Sequence, residues 1–180
     1  RRLAGGFIIL NYFDRFVLYF TRKHKIDPII IVGPPRCGST ILYEYLINNY
    51  KLGFFPNLIS VFYKYPTLVF LIIKRVFFLK FKKTKYKSYY GFSEGTWSPS
   101  EAGKIYEYWF DKLKYTERNR KYIRNSVYTI SSIFKAPLVI KNMNNSLRIE
   151  KILKIFPGAI ILKINREEIY TAQSILIARK

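Results

Sequence analysis

Apolar positions along the chain fall into runs and periodicities whose order predicts strand, helix, strand, helix. Ile29 to Val32 is a continuous branched apolar run, the pattern of a short strand covered on both faces. The segment after it carries Ile41, Leu42, Tyr45 and Leu46 on one helical face and ends near Asn48 and Asn49. Further on, "APLVIK" (136–141) predicts a second strand. A helix follows with Ile149, Ile152, Leu153 and Phe156 at i, i+3, i+4 and i+7, stopped by Pro157 and Gly158. "AIILKINR" (159–166) predicts a third strand and "EEIYTAQSILIA" (167–178) a last helix. Strands alternating with helices in this way imply an α/β fold, a parallel sheet flanked by helices on both faces, in a single domain over residues 1–180.

The remaining segments are less regular. Phe13, Phe16, Val17 and Phe20 recur at helical spacing, which predicts an N-terminal helix with its aromatic side toward the core, in preference to an interfacial membrane anchor. Asp14 and Arg15 interrupt that run, and Lys74 and Arg75 interrupt the apolar stretch 65–81, so neither has the length of uncharged sequence a membrane span needs. Between residues 52 and 90 the pattern is poor, with Pro56 and Pro66 breaking an aromatic-rich stretch. Ser98, Pro99 and Glu101 have the form of a capping box opening a helix that buries Ile105, Trp109 and Leu113. A second helix carries Ile123, Val127, Ile130 and Phe134 on one stripe.

Composition narrows the chemistry. Of 180 residues, 49% are hydrophobic and 18% aromatic, enough for a core and against disorder. The 32 Lys+Arg against 11 Asp+Glu give a net charge of +21, which attracts anions: nucleotides, nucleic acid or acidic membranes. Heavy use of Lys, Ile, Tyr, Asn and Phe is equally consistent with a compositional bias of the coding sequence. One cysteine, Cys37, excludes an intrachain disulfide and one histidine, His24, leaves no cluster for zinc, so the expectation is no metal and a reducing, cytoplasmic compartment. Arg1 in place of a methionine and the stop at Lys180 in mid-pattern read as cut ends.

The strand at Ile29 runs into "PIIIVGPPRCGSTILYEYL" (28–46), which lies at the carboxyl end of a strand and the start of a helix, where α/β sheets bind phosphates. Gly33, Pro35 and Gly38 shape the turn, Arg36 brings charge, and Ser39 and Thr40 supply hydroxyl and N–H donors. The loop is P-loop-like, but Ser39 stands where G-x-x-x-x-G-K-[ST] requires lysine. The strands ending at Lys141 and Arg166 close on basic residues where a metal-holding aspartate would be wanted, which argues against triphosphate and magnesium chemistry.

This stretch resembles the 5'-phosphosulfate loop of sulfotransferases, which use 3'-phosphoadenosine 5'-phosphosulfate (PAPS) and read roughly [PG]-x-[KR]-[SC]-G-[ST]-[ST]. The resemblance implies that Arg36 bridges the 5'-phosphate and the transferring sulfuryl group while Cys37, Gly38, Ser39 and Thr40 cradle the phosphate; Cys37 replaces the commoner serine. "FPGAIILKINREEIYTAQS" is similar to the family's 3'-phosphate signature, with Arg166 at the strand end and Ser174 eight positions later. "PLVIKNMNNSLRI" and "SYYGFSEGTWSPSEAGKIYEYWF" look like the carbohydrate-type and tyrosyl-type branch. Departures are Glu168 in place of a common proline and the absence of the C-terminal segment that encloses the adenosine in relatives, so the domain is expected to be incomplete at its C-terminus.

The resemblance implies in-line transfer of a sulfuryl group from PAPS to an acceptor hydroxyl of a carbohydrate, tyrosine or lipid, without a metal. The acceptor needs a base. His24 precedes the strand whose far end carries the loop, roughly 17 Å away at about 3.3 Å per residue, and is rejected. Glu44 could point either way, and Glu167 and Glu168 belong to the wrong phosphate. Glu101 and Glu94 are better placed, because the resemblance to this branch implies that an acid between the two phosphate motifs approaches the acceptor; Glu101 is ahead, against a cap and a solvated loop acid as their plain readings. Trp97 and Trp109 are candidates for the acceptor cleft or the core. Three other readings stay open: a catalytically inactive sulfotransferase-like fragment, a small-molecule kinase, which the missing lysine opposes, and a basic module for nucleotides, RNA or a peripheral membrane contact, suggested by the basic-aromatic stretch 74–87.

Overall fold

The isoleucine-rich run forms the middle of the sheet. In the computed structural model, which describes residues 2–21, 23–77 and 95–177, the elements follow in the order α1 (Arg2–Phe20), β1 (Ile29–Val32), α2 (Ser39–Asn49), α3 (Asn57–Val61), α4 (Pro66–Phe77) and α5 (Gly103–Glu107). A π-helical turn (Tyr108–Lys112), α6 (Glu117–Phe134), β2 (Val139–Lys141), a 3-10 turn (Met143–Arg148), α7 (Ile149–Ile155), β3 (Ile160–Lys163) and α8 (Glu168–Ile177) complete it. β1 lies between β2 and β3, both parallel to it, with Ile30 opposite Ile140 and Ile161.

Strand side chains alternate between faces, and the core divides accordingly. Ile30, Val32 and Ile140 join a larger cluster with Ile123, Val127 and Ile130 of α6 and Ile152 and Ile155 of α7. Ile31 and Val139 join a smaller one with Tyr43 of α2 and Phe54. Helices therefore cover both faces, as the strand–helix alternation implies. On the predicted stripe of α6, Ile123, Val127 and Ile130 are buried, as are Ile105 and Trp109, while Phe134 and Leu113 are partly buried and packed against the same core.

Three local expectations fail. On α1 the aromatic side faces outward: Phe13, Phe16 and Phe20 are exposed while Asp14 and Leu18 are buried. The cause is α4, whose first turn leaves backbone N–H groups without partners. The Asp14 carboxylate accepts from the N–H of Leu68 (2.5 Å) and of Thr67, and from the Tyr122 hydroxyl (2.6 Å), capping α4 from another helix. On α2, Tyr43 is buried while Ile41 and Tyr45 are exposed; apolar residues at 41–43 and 45–47 offered two faces, and packing chose the one carrying Tyr43. The capping box at 98–101 does not form. Pro99 bridges Pro56 in antiparallel fashion, Asn57 N–H donates to Ser98 O and Ser100 N–H to Phe55 O, so the segment is extended and the helix begins only at Gly103.

Burial pushes the Asp14 carboxyl up to about 6, against the opposing effect of the hydrogen bonds from Tyr122, Leu68 and Thr67 and of the Arg15 charge. The native state therefore holds this proton more tightly than the unfolded chain does. The resulting stabilisation is complete below the ordinary aspartate value of 3.8 and is lost as pH rises through about 6. Denaturant titrations from pH 4 to 7 should show a wild-type decline, relative to Asp14→Asn, confined to that window. Asp14→Leu strands three donors, the N–H groups of Thr67 and Leu68 and the Tyr122 hydroxyl, and is expected to lose about 2 to 4 kcal/mol at any pH.

Candidate functional site

The loop between β1 and α2 has little freedom of sequence. A Cβ on Gly33 would lie 2.8 Å from Cys37 Sγ and 3.2 Å from the Ile164 carbonyl oxygen, so the loop packs there against the segment leaving β3. Cys37 is buried and its N–H donates to Pro34 O at 3.3 Å, so this residue closes the turn. Pro35 is exposed on the same turn. Gly38, at φ 93°, is the N-cap of α2 and brings no capping side chain, which leaves the N–H groups at the start of α2, those of Ser39 and Thr40 among them, without a side-chain acceptor. Such a terminus suits an anion.

Arg36 adopts φ 63°, a left-handed conformation that costs a non-glycine residue about 1 to 2 kcal/mol. Two contacts hold it. Its Nε donates to Ser174 Oγ at 3.1 Å, and its carbonyl oxygen accepts from Arg166 Nη1 at 2.6 Å. Arg166 thus turns to the loop and, among the described residues, forms an ion pair with neither Glu167 nor Glu168. Residues predicted separately for the two phosphates stand in direct contact although 138 positions separate Arg36 from Ser174.

The second half of the site centres on Lys141, at the carboxyl end of β2 and 3% exposed. Its Nζ donates to Thr40 Oγ1 at 2.9 Å and pairs with Glu101 Oε1. Glu101 is held in place through its neighbour. Ser100 O accepts from the Tyr43 hydroxyl (3.1 Å), and Ser100 Oγ lies 2.7 Å from Ser60 Oγ and accepts from Ala102 N–H (3.1 Å). Burial first, and the Glu101 charge second, raise the Tyr43 phenol far above its ordinary range, so it remains a donor. Glu101 is linked to the loop through Lys141 and Thr40.

Of the other predicted residues, Glu94 lies outside the described ones. His24 is exposed before β1, its N–H donating to Ser132 Oγ at 2.7 Å, with no part in the loop. Trp109 is core, 2% exposed, and Trp97 packs against the same cluster. Sequence reasoning placed Lys141 at a strand end without giving it a role. What the sequence lacked was burial: Lys141 is enclosed and needs a carboxylate, whereas Lys163 at the end of β3 and Arg166 beyond it are exposed.

The solved structure of sulfotransferase STF9 from Mycobacterium avium superposes with a TM-score of 0.55 at 18% identity, over 89% of this chain and 47% of that one, a likeness of fold. The chain spans about half the length of that relative. No curated protein matches it significantly by sequence. The family model for the sulfotransferase family matches residues 28–179, which takes in all three strands, the loop, Glu101, Lys141, Arg166 and Ser174. The chain belongs to the sulfotransferase family.

Proposed function

We propose that this site binds PAPS and transfers its sulfuryl group to an acceptor hydroxyl. The observation that carries the reading is the direct contact between the two phosphate motifs, Arg36 with Ser174 and Arg166 with Arg36 O. Arg36 and the N–H groups of Ser39 and Thr40 hold the 5'-phosphate and take up the negative charge left on it when its bond to sulfur breaks. Arg166 and Ser174 hold the 3'-phosphate. Gly33, Pro35, Cys37 and Gly38 give the loop its shape. Glu101 accepts the proton of the attacking hydroxyl. Lys141 keeps that carboxylate beside Thr40, so acid and loop share one fixed frame.

Calorimetric titration separates this from a kinase reading. Adenosine 3',5'-bisphosphate should bind more tightly than adenosine 5'-monophosphate, and magnesium-ATP should not compete. Arg166→Ala and Ser174→Ala should each erode the preference by about 1.5 to 3 kcal/mol, the range for hydrogen bonds to charged groups. Equal binding of the two nucleotides by the wild type would remove the 3'-phosphate site.

A further inference from the structure

Away from the loop, a cavity of about 270 Å³ opens between α1, the segment after it and the first half of α6. Its wall carries four cations, Arg15, Lys23, Arg118 and Lys121, and no carboxylate. It shares no residue with the loop, Glu101, Lys141, Arg166 or Ser174.

None of the four cations forms an ion pair among the described residues, although the Arg15 charge is felt by the Asp14 carboxyl. Arg15 stacks over the Tyr122 ring, 4.3 Å from its centroid, and its Nη2 donates to Asn119 Oδ1 at 2.8 Å, contacts that orient a guanidinium and leave its charge intact. Asp14 lies behind Tyr122 and serves α4, while Glu117 pairs with Arg120. Among the described residues Lys23, Arg118 and Lys121 form no ion pair. The Lys23 ammonium is held below its ordinary range, first by partial burial and then by the Lys121 charge. Like charges gathered on a concave wall focus a field that favours an anion between them.

One wall residue also belongs to an apolar surface. Tyr19 lines the cavity and is 85% exposed. On the same helix Phe13, Phe16 and Phe20 form an exposed ridge, the Phe16 and Phe20 rings 5.0 Å apart and those of Phe13 and Phe16 6.3 Å apart. A soluble phosphate would use the cavity alone. A ridge of bare aromatic rings continuous with a cationic cavity matches a surface that is anionic at the headgroups and apolar just beneath. No helix among the described residues is long and apolar enough to cross a membrane, so α1 would lie on one.

We propose that this face of α1 and α6 docks on acidic membranes, the cavity taking the phosphate of an anionic phospholipid headgroup while Phe13, Phe16 and Phe20 enter the interfacial layer.

Vesicle cosedimentation of the whole chain tests it, with circular dichroism to verify that each variant is folded. Wild type should sediment with phosphatidylcholine vesicles containing phosphatidic acid and not with phosphatidylcholine alone. The triple variant Lys23→Ala/Arg118→Ala/Lys121→Ala should bind about 100-fold more weakly, from about fivefold per basic residue at an anionic surface. A control that removes equal charge elsewhere, Lys51→Ala/Lys104→Ala/Lys163→Ala, should stay within about fivefold of wild type. Phe16→Ser/Phe20→Ser should lose at least about tenfold, as expected for apolar area withdrawn from the interface. Four outcomes overturn the proposal: no vesicle binding by wild type, equal losses for the two triples, an unaffected ridge variant, or cavity-dependent binding of glycerol 3-phosphate or RNA oligomers without vesicle binding.

Discussion

Glu101→Gln is expected to lower the rate of sulfuryl transfer by about 10² to 10⁴, the range for loss of a general base, with nucleotide affinity kept. The change needs a control, because Glu101 is also the partner of a buried lysine. Removing the charge leaves Lys141 with only neutral acceptors, Thr40 Oγ1 and the new amide oxygen, and some stability should go with it. Lys141→Met on its own breaks the pair from the other side. Combining the two changes replaces an ion pair by neutral groups and should recover stability relative to either single variant. If Glu101 only held Lys141 in place, activity would recover along with stability. If Glu101 is the base, the double variant is stable and still slow. Denaturant titration and initial rates with a hydroxyl acceptor, measured on all four proteins, decide between these outcomes.

Arg36→Ala should slow turnover by about 10² to 10³, the usual loss when one preorganised donor is removed from a site of developing charge. The fold should tolerate it. Arg36 is exposed, and what ties its backbone to Arg166 is a carbonyl oxygen that alanine retains. Arg36→Lys is the informative companion. It preserves charge but loses the planar fork that reaches Ser174 and a phosphate together, so it should recover only part of the rate. A folded Arg36→Ala protein with unchanged rate and unchanged nucleotide affinity would remove this residue from the reaction.

The two segments that meet at Arg36, Arg166 and Ser174 could be picked out in the sequence because each is local. Glycines, an arginine and hydroxyls within eight positions, and an arginine and serine eight apart, announce themselves without knowledge of the fold. The strands were legible for a related reason, since a run such as Ile29 to Val32 has few other uses. The pair Lys141 and Glu101 was not, because 40 positions separate its members and only the sheet brings them together. Ser98 and Pro99 misled in an instructive way. A proline that lacks an N–H suits the first turn of a helix and equally suits an extended bridge, and only the partner at Pro56 decides which. On α1, aromatic residues at helical spacing are the same pattern whether the stripe faces in or out. What decided was the need of α4 for an acceptor, a demand made some 50 residues later that no local reading reaches.

The central position of β1 sets the order in which the protein can be built. Ile30 meets its partners Ile140 and Ile161 only after more than 100 further residues have been made. At synthesis rates of about 5 to 20 residues per second, the middle strand waits roughly 5 to 20 seconds for its first neighbour and longer for its second. Closing such long loops must precede any reward from pairing, which makes a sheet of this connectivity slow to form. The loop that carries Arg36 emerges early, yet it acquires Arg166 and Ser174 only when the last strand and helix arrive. A nascent chain stalled before residue 160 would have the loop that carries Arg36 already synthesised and both of that residue's partners, Arg166 and Ser174, still missing.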